Sequence, residues 1–225
     1  MSGTRPAAAH ASTVYERREL AAIAARWDAR ADSWEEALLD PDCHLQEGEA
    51  YLKFERLLKR CVASRREFCA GNGVIDAGCG TGLILAGVIE RFAWGMGVDI
   101  SPGMIGVARR KQLPTVTWVV GDCFQLKRLG RPAGVVVSRG VLLSHYGEAG
   151  GLAFLRSAYE VLVPRGFLIT DFLNAEARTT ARHAPGDKHW FTKLEIQSLA
   201  RAAGFSQVVI RGRVADRVRQ VIAEA

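Results

Sequence analysis

The stretch Gly73–Ile84, GVIDAGCGTGLI, places Gly78, Gly80 and Gly82 directly behind an acidic residue, Asp76, with Cys79 inside the loop. Its pattern is an apolar strand that breaks into a glycine turn and opens a helix, a unit suited to a nucleotide-bearing ligand. A dinucleotide site needs G-x-G-x-x-G, whereas the spacing here is G-x-G-x-G, and Gly87 falls too far into the helix to supply the missing glycine. Pyrophosphate at the helix N-terminus would also be repelled by Asp76. A carboxylate there favours a ligand that presents an ammonium or hydroxyl groups. Two more acids end the next β-like runs, Asp99 in GMGVDIS and Asp122 in VVGDCF. Asp99 can accept both hydroxyls of a ribose, and Asp122 can accept from an exocyclic adenine amine. Acids at three successive strand tips lie along the crevice outside the carboxyl ends of a parallel sheet. They describe a ligand with an ammonium, a ribose and an adenine, and without a phosphate.

The elements that must position these residues alternate. After Gly73, β-rich runs (GVIDAG, WGMGVDI, TVTWVVGD, AGVVVSR, GFLITDF) are separated by helical ones over 83–92, 104–111, a short piece near 124–129, and 152–163. That order predicts βαβ units and a parallel sheet covered on both faces. In the last of these helices Leu152, Leu155, Tyr159 and Leu162 mark one face. TKLEIQSLARAAGF is a further helix, with a capping box from Thr192 and Glu195 and a terminal Gly204. The two closing runs, SQVVIRGRV and RVRQVIA, have only Ala215 and Asp216 clearly between them, too short a link for a crossover helix, so they should pair as an antiparallel hairpin. Upstream, residues 13–70 read as helical, with Tyr51, Phe54, Leu58 and Cys61 on one stripe. Residues 1–12 are expected to be disordered, 13–70 to form a helical N-terminal unit, and 71–225 the ligand-binding core.

With these motifs in view, the chain resembles a class I S-adenosylmethionine-dependent methyltransferase of the small-molecule type. VIDAGCGTG matches the first motif of that family, GVDIS with GMIGVARRK the second-strand segment, and VVGDCFQL the third. The resemblance covers about Gly73 onward. It implies a Rossmann-like, seven-stranded, mostly parallel doubly wound α/β sheet with a C-terminal antiparallel hairpin and an N-terminal helical lid. It implies S-adenosylmethionine as cofactor. Asp76, Gly78 and Gly80 would line its methionine part, Asp99 its ribose, and Ile100 and Met104 its adenine. Asp122 would take the adenine amine, and the Cys123 backbone N–H a ring nitrogen. The side chains of Cys79 and Cys123 have no nucleophile context and simply fit, and Met104 could equally fill the core. RWDARADSW resembles the lid helix of such enzymes, with Trp27 and Trp34 in place of the usual tyrosines.

The segment closing the fourth strand, VVVSRGVLLSHYGE, faces the acceptor in this family. It carries neither the Asn-Pro-Pro-Tyr of adenine- and glutamine-nitrogen enzymes nor the Pro-Cys of cytosine-C5 enzymes. It is similar to small-molecule N- and O-methyltransferases of the glycine/sarcosine and ubiquinone-biosynthesis types. His145 is the first candidate for base or orienter, the alternative being a loop histidine that packs or caps. Asp171 and Glu148 are weaker candidates, while His183 and His189 lie in an insertion that could cover the acceptor; His10 and His44 have no supporting context. Arg139 departs from the pattern. Its guanidinium cannot point at a sulfonium without strong repulsion, so its carbonyl is expected to serve the cofactor ammonium. Its side chain would turn to an anionic group of the acceptor or to an internal carboxylate.

Composition bounds the partners. In 225 residues, 48% hydrophobic and 24% charged, there is room for one α/β domain with an ample core. The first dozen residues lack the apolar core of a signal peptide and no run is long enough to span a membrane, so a cytoplasmic protein without a membrane partner is expected. The net charge of +6 comes from scattered basic pairs such as Arg65-Arg66 and Arg109-Arg110, which argues for solvated helix faces and makes a nucleic-acid partner unlikely. Five cysteines show no zinc or redox spacing, so no metal is expected. A small-molecule acceptor is the leading expectation. An RNA or protein acceptor, a non-catalytic S-adenosylmethionine-binding regulatory subunit and an NAD-dependent oxidoreductase are the alternatives.

Overall fold

The computed structural model describes residues 17–39, 46–140, 142–177 and 188–225. The expected disordered segment 1–12 and His10, Cys43, His44 and His183 lie outside the described residues. Four helices come first: α1 (Arg17–Asp28), α2 (Trp34–Leu39), α3 (Gln46–Ser64) and α4 (Arg66–Ala70). On α3 the apolar stripe faces inward, with Tyr51, Phe54 and Leu58 buried and Cys61 half-buried. The core then runs β1 (Gly73–Ala77), α5 (Leu83–Val88), β2 (Trp94–Asp99), α6 (Pro102–Arg109), β3 (Val116–Val120) and β4 (Ala133–Ser138). It continues with α7 (Leu142–His145), α8 (Gly147–Val161), β5 (Leu162–Leu173), α9 (Lys193–Ala203), β6 (Gln207–Arg211) and β7 (Val218–Glu224).

The strands form one seven-stranded sheet in the order β3-β2-β1-β4-β5-β7-β6. β1 to β5 are mutually parallel, and β7 pairs antiparallel with both β5 and β6. The expected hairpin is therefore present, but β7 inserts between β5 and β6. Strands β1 and β4 are buried along their whole length, whereas the edge strands β3 and β6 alternate or are only half-buried. Their side chains divide between two cores. Ile75, Ala77 and Val136 meet Phe154, Phe172 and Phe191 on one face, and Val74, Val135 and Val137 meet Phe54, Leu58 and Val62 on the other. This is the doubly wound α/β arrangement.

Two sequence expectations shift. Helix α8 starts at Gly147 rather than Leu152, and its buried face is Phe154, Leu155, Ala158 and Val161, while Leu152 and Tyr159 are half-buried and Leu162 opens β5. Gly150 and Gly151 near its start are buried, and a Cβ on Gly151 would stand 3.5 Å from the Phe191 ring. The hairpin link is also longer than two residues. β6 stops at Arg211 because Gly212 takes φ +100° and the Asp216 carboxylate accepts from the Arg213 N–H at 2.8 Å. Asn174 then ties the turn to β5 by donating to the Val214 and Asp216 carbonyls at 2.7 and 3.0 Å. The capping box is formed as expected, with Glu195 accepting from the Thr192 N–H and Gly204 in the left-handed region.

Candidate active site

β1 ends at Ala77, and the glycine turn that follows is laced to the tip of β2. The Gly78 and Cys79 N–H groups both donate to the Val98 carbonyl, at 2.8 and 3.0 Å, and Gly80 N–H donates to Asp99 Oδ2 at 2.8 Å. Gly80 and Gly82 adopt φ +51° and +83°, a region side chains resist, and a Cβ on Gly82 would fall 2.4 Å from the Trp118 ring. Trp118 also covers Gly97, so this one indole fixes the loop against β2 and β3. The other Asp99 oxygen accepts from Ser101 N–H at 2.9 Å. Asp122 caps the short 3-10 turn Cys123–Leu129, accepting from Phe124 N–H at 2.8 Å and Gln125 Nε2 at 3.3 Å.

These tips open on a cavity of about 400 Å³. Every site residue expected from the sequence lines it: Asp76, Gly78, Cys79, Gly80, Asp99, Ile100, Met104, Asp122, Cys123, Arg139 and His145. Asp171 lines it too and accepts from Gly140 N–H at 3.4 Å, whereas Glu148 is exposed outside it. His189 packs instead on Phe191, ring centroids 4.3 Å apart, and its main-chain N–H donates to the Ser144 carbonyl.

The electrostatics are unusual at Asp76. Its side chain is 1% exposed, its Oδ2 has no hydrogen-bond partner, and burial followed by the neighbouring Asp99 charge pushes its pKa up to about 8. Burial also raises Asp99, against the backbone N–H groups that favour its charged form. The thiols of Cys79 and Cys123 are pushed upward by burial and by the nearby carboxylates, so neither is a ready thiolate. His145 moves the other way, down to about 4, through burial and then the charges of Lys188 and Arg26. At neutral pH it is an uncharged imidazole.

Residues 74–166 match the family described as a methyltransferase domain. The chain is also 30% identical over 166 residues to the ubiquinone biosynthesis O-methyltransferase of Azorhizobium caulinodans, a match covering 66% of this chain and 64% of that protein. The central part of the chain is a methyltransferase domain. Solved structures of similar methyltransferases agree in fold. The magnesium protoporphyrin IX methyltransferase of Synechocystis PCC 6803 with bound SAH gives a TM-score of 0.72 at 19% identity, covering 91% of this chain and 98% of that one. DhpI in complex with SAH gives 0.69 at 16% identity, covering 93% and 98%. Streptomyces venezuelae DesVI gives 0.62 at 22%, covering 78% and 92%. The chain thus spans about two-thirds of the length of its curated relative and nearly all of the first two solved methyltransferases.

Several residues of the cavity wall carry no motif. Tyr51 and Lys53 come from α3, and Tyr51 lies under the Arg139 guanidinium, 5.3 Å from ring centroid to Cζ. Burial raises the Tyr51 hydroxyl pKa, with Glu55 and Asp76 adding to it. Lys188 and Arg217 complete the wall from segments distant in sequence. Trp27 and Trp34, paired edge-on at 5.3 Å, also line it. Their helices are moored to α6 by acids. Asp28 Oδ1 accepts from Ser101 Oγ at 2.5 Å and from Gly103 N–H at 2.7 Å, Asp32 pairs with Arg110, and Glu35 pairs with Lys111. Gly103 permits this approach, because a Cβ there would meet Asp28 Oδ1 at 2.9 Å. Asp28→Ala removes the acceptor for two donors, so hydrogen exchange of the α1 amides should speed up by roughly tenfold. Unchanged exchange would show that α1 is held by apolar packing alone.

Among the described residues, no group of His, Cys, Asp and Glu could hold a metal ion, and no helix is long and apolar enough to cross a membrane. Cys61, Cys69, Cys79 and Cys123 are free thiols.

Proposed function

We propose that this protein transfers a methyl group from S-adenosylmethionine to a nitrogen or oxygen of a small molecule. The observation that carries the reading is the partnerless, buried oxygen of Asp76 beside the glycine loop, with the Asp99 carboxylate at the next strand tip. A buried acceptor with no donor calls for a cationic hydrogen-bonding partner. The cofactor supplies an electrophilic methyl on a sulfonium. Asp76, with the Arg139 main chain, holds its ammonium, and Gly78 and Gly80 admit it at close range. Asp99 accepts the ribose hydroxyls, Ile100 and Met104 enclose the adenine, and Asp122 and the Cys123 N–H read its edge. Cys79 supplies small bulk in the loop.

What remains for the protein is alignment of the acceptor lone pair and exclusion of water. Helices α1 and α2 act as the lid, bringing Trp27 and Trp34 over the cavity. His145, neutral at pH 7, takes the proton from a hydroxyl acceptor or orients an amine.

A screen for label transfer from methyl-labelled S-adenosylmethionine to amines, phenols and a tRNA pool tests this reading. Label is expected in a small molecule. Label confined to tRNA, or binding of the cofactor with transfer to nothing, would replace it with one of the other classes. Thermal-shift measurements should show stabilisation by S-adenosylmethionine and S-adenosylhomocysteine and none by NAD. With an accepted hydroxyl substrate, His145→Ala should lower kcat by about 10²–10³-fold. Because His145 loses its proton near pH 4, the wild-type rate should not fall between pH 8 and 5.5 through this residue.

A further inference from the structure

A second cavity, of about 640 Å³, opens between α3 and the β6–β7 hairpin. Lys53, Arg56 and Arg60 line it from α3, and their spacing of three and four residues puts them on one helix face. Arg211 of β6 joins them from the sheet. The half-buried Cys61 thiol between these elements reports their convergence. Burial raises its pKa, and the charges of Arg65, Arg211 and Arg60 oppose the rise. Guanidinium groups from α3 and from β6 therefore reach the same point.

Neighbouring cations are matched by acids. Lys53 pairs with Glu49 at 3.0 Å and Lys59 with Glu55 at 2.8 Å, each acid one turn earlier on α3, and Arg65 pairs with Glu224. Around Arg56 the positions one turn away are Leu52, Lys53, Lys59 and Arg60, and around Arg60 they are Arg56, Leu57, Ala63 and Ser64. None is acidic. Arg211 stands opposite Gln220 in the sheet. Asp216 is the acid of the groove wall, and it is already engaged by Lys53 at 3.6 Å and Arg213 at 3.2 Å. No described acid pairs with Arg56, Arg60 or Arg211. Like charges one turn apart on a helix destabilise it, and an anion seated between α3 and β6 removes that repulsion.

We infer that this groove is a binding site for a small phosphate monoester, its dianionic head held by Arg56, Arg60 and Arg211 and its organic part lying on Leu57, Cys61 and Ile222. Guanidinium forks match the paired oxygens of a phosphate, and a dianion answers more than one of them. The apolar part of the wall is aliphatic and holds no aromatic ring, so it offers no platform on which the bases of a nucleic-acid strand could stack. The three arginines lie outside the wall of the candidate active site, which makes the groove separable by mutation.

The test is isothermal titration calorimetry on the full chain at fixed salt, with n-butyl phosphate, inorganic phosphate, butyrate and a ten-nucleotide oligouridine as probes. Butyl phosphate should bind at least about tenfold more tightly than butyrate and about threefold more tightly than inorganic phosphate. Arg60→Gln and, separately, Arg211→Gln should each weaken it at least about fivefold; both side chains are exposed, and thermal unfolding confirms that the variants fold. Arg128→Gln removes an exposed charge outside the groove and should change the affinity by less than about twofold. Butyl phosphate should also slow iodoacetamide labelling of Cys61 at least about threefold, because it covers the thiol and neutralises the guanidinium groups that favour its thiolate. Failure of butyl phosphate to bind, equal affinity for butyrate or for inorganic phosphate, an equal loss in Arg128→Gln, or unprotected Cys61 would overturn the inference. Tight binding of oligouridine with no binding of butyl phosphate would overturn it in favour of a nucleic-acid surface.

Discussion

Asp99→Ala should weaken S-adenosylhomocysteine binding by about 10²–10³-fold, measured by calorimetry on a protein whose thermal unfolding is checked alongside. The carboxylate is the proposed acceptor for both ribose hydroxyls, and charge-assisted hydrogen bonds are worth about 1.5–3 kcal/mol each. It also takes the N–H groups of Gly80 and Ser101, so it holds the glycine loop and the start of α6 in place before any ligand arrives. Both losses act in the same direction. Asp99→Asn separates them, because the amide keeps one acceptor oxygen, and its penalty should be nearer tenfold. Native affinity in the alanine variant, with unfolding unchanged, would move the ribose site elsewhere.

The second large effect is a trade between stability and binding at Asp76. Asp76→Asn should bind S-adenosylhomocysteine at least about 10²-fold more weakly, since a neutral amide cannot neutralise a buried ammonium. The same change should make the ligand-free protein more stable. In the unfolded chain this carboxyl ionises near the ordinary aspartate range, while in the folded state its pKa is about 8. Between those values the folded protein holds a proton that the unfolded chain does not, so stability falls as pH rises through the window. At pH 7 the asparagine should recover on the order of a few kcal/mol, read as a higher Tm. A further sign follows for the wild type. Below pH 8 the ligand must displace a proton from Asp76, so its affinity should climb by about tenfold per pH unit from 6 to 8 and then level off. A pH-independent affinity, or an asparagine variant less stable than the parent, would remove Asp76 from the ammonium site.

The strand-tip carboxylates of the cavity wall were legible because a parallel sheet puts the carboxyl end of every strand on one edge. Asp76, Asp99 and Asp122 could be placed there by knowing only where each apolar run stops. Arg139, His145 and Asp171 were legible in the same way, since each stands at or just after the end of a strand, and Trp27 and Trp34 through the segment RWDARADSW. Tyr51 and Lys53 lie on a helix whose stripe reads as core, and their arrival at the cavity depends on how α3 packs across the sheet. Lys188 and Arg217 come from loops, where no periodicity reports which way a side chain points. Asp28 is a further case. On sequence it is one of many charges in a helical stretch, and its role exists only because Gly103 leaves room for it at the start of α6. The buried face of α8 begins earlier than its apolar residues show, because Gly150 and Gly151 are buried in the helix without a side chain to mark them.

The position of β7 also dictates an order of assembly during synthesis. β6 never touches β5, because β7 occupies the place between them, and β7 is translated after both. Until residues up to Glu224 have left the ribosome, β5 has an open edge and β6 has no strand to pair with. An exposed strand edge beside the apolar residues Phe167–Leu173 is a hazard for pairing with another chain. The sheet is therefore complete only once β7 has joined β5 to β6.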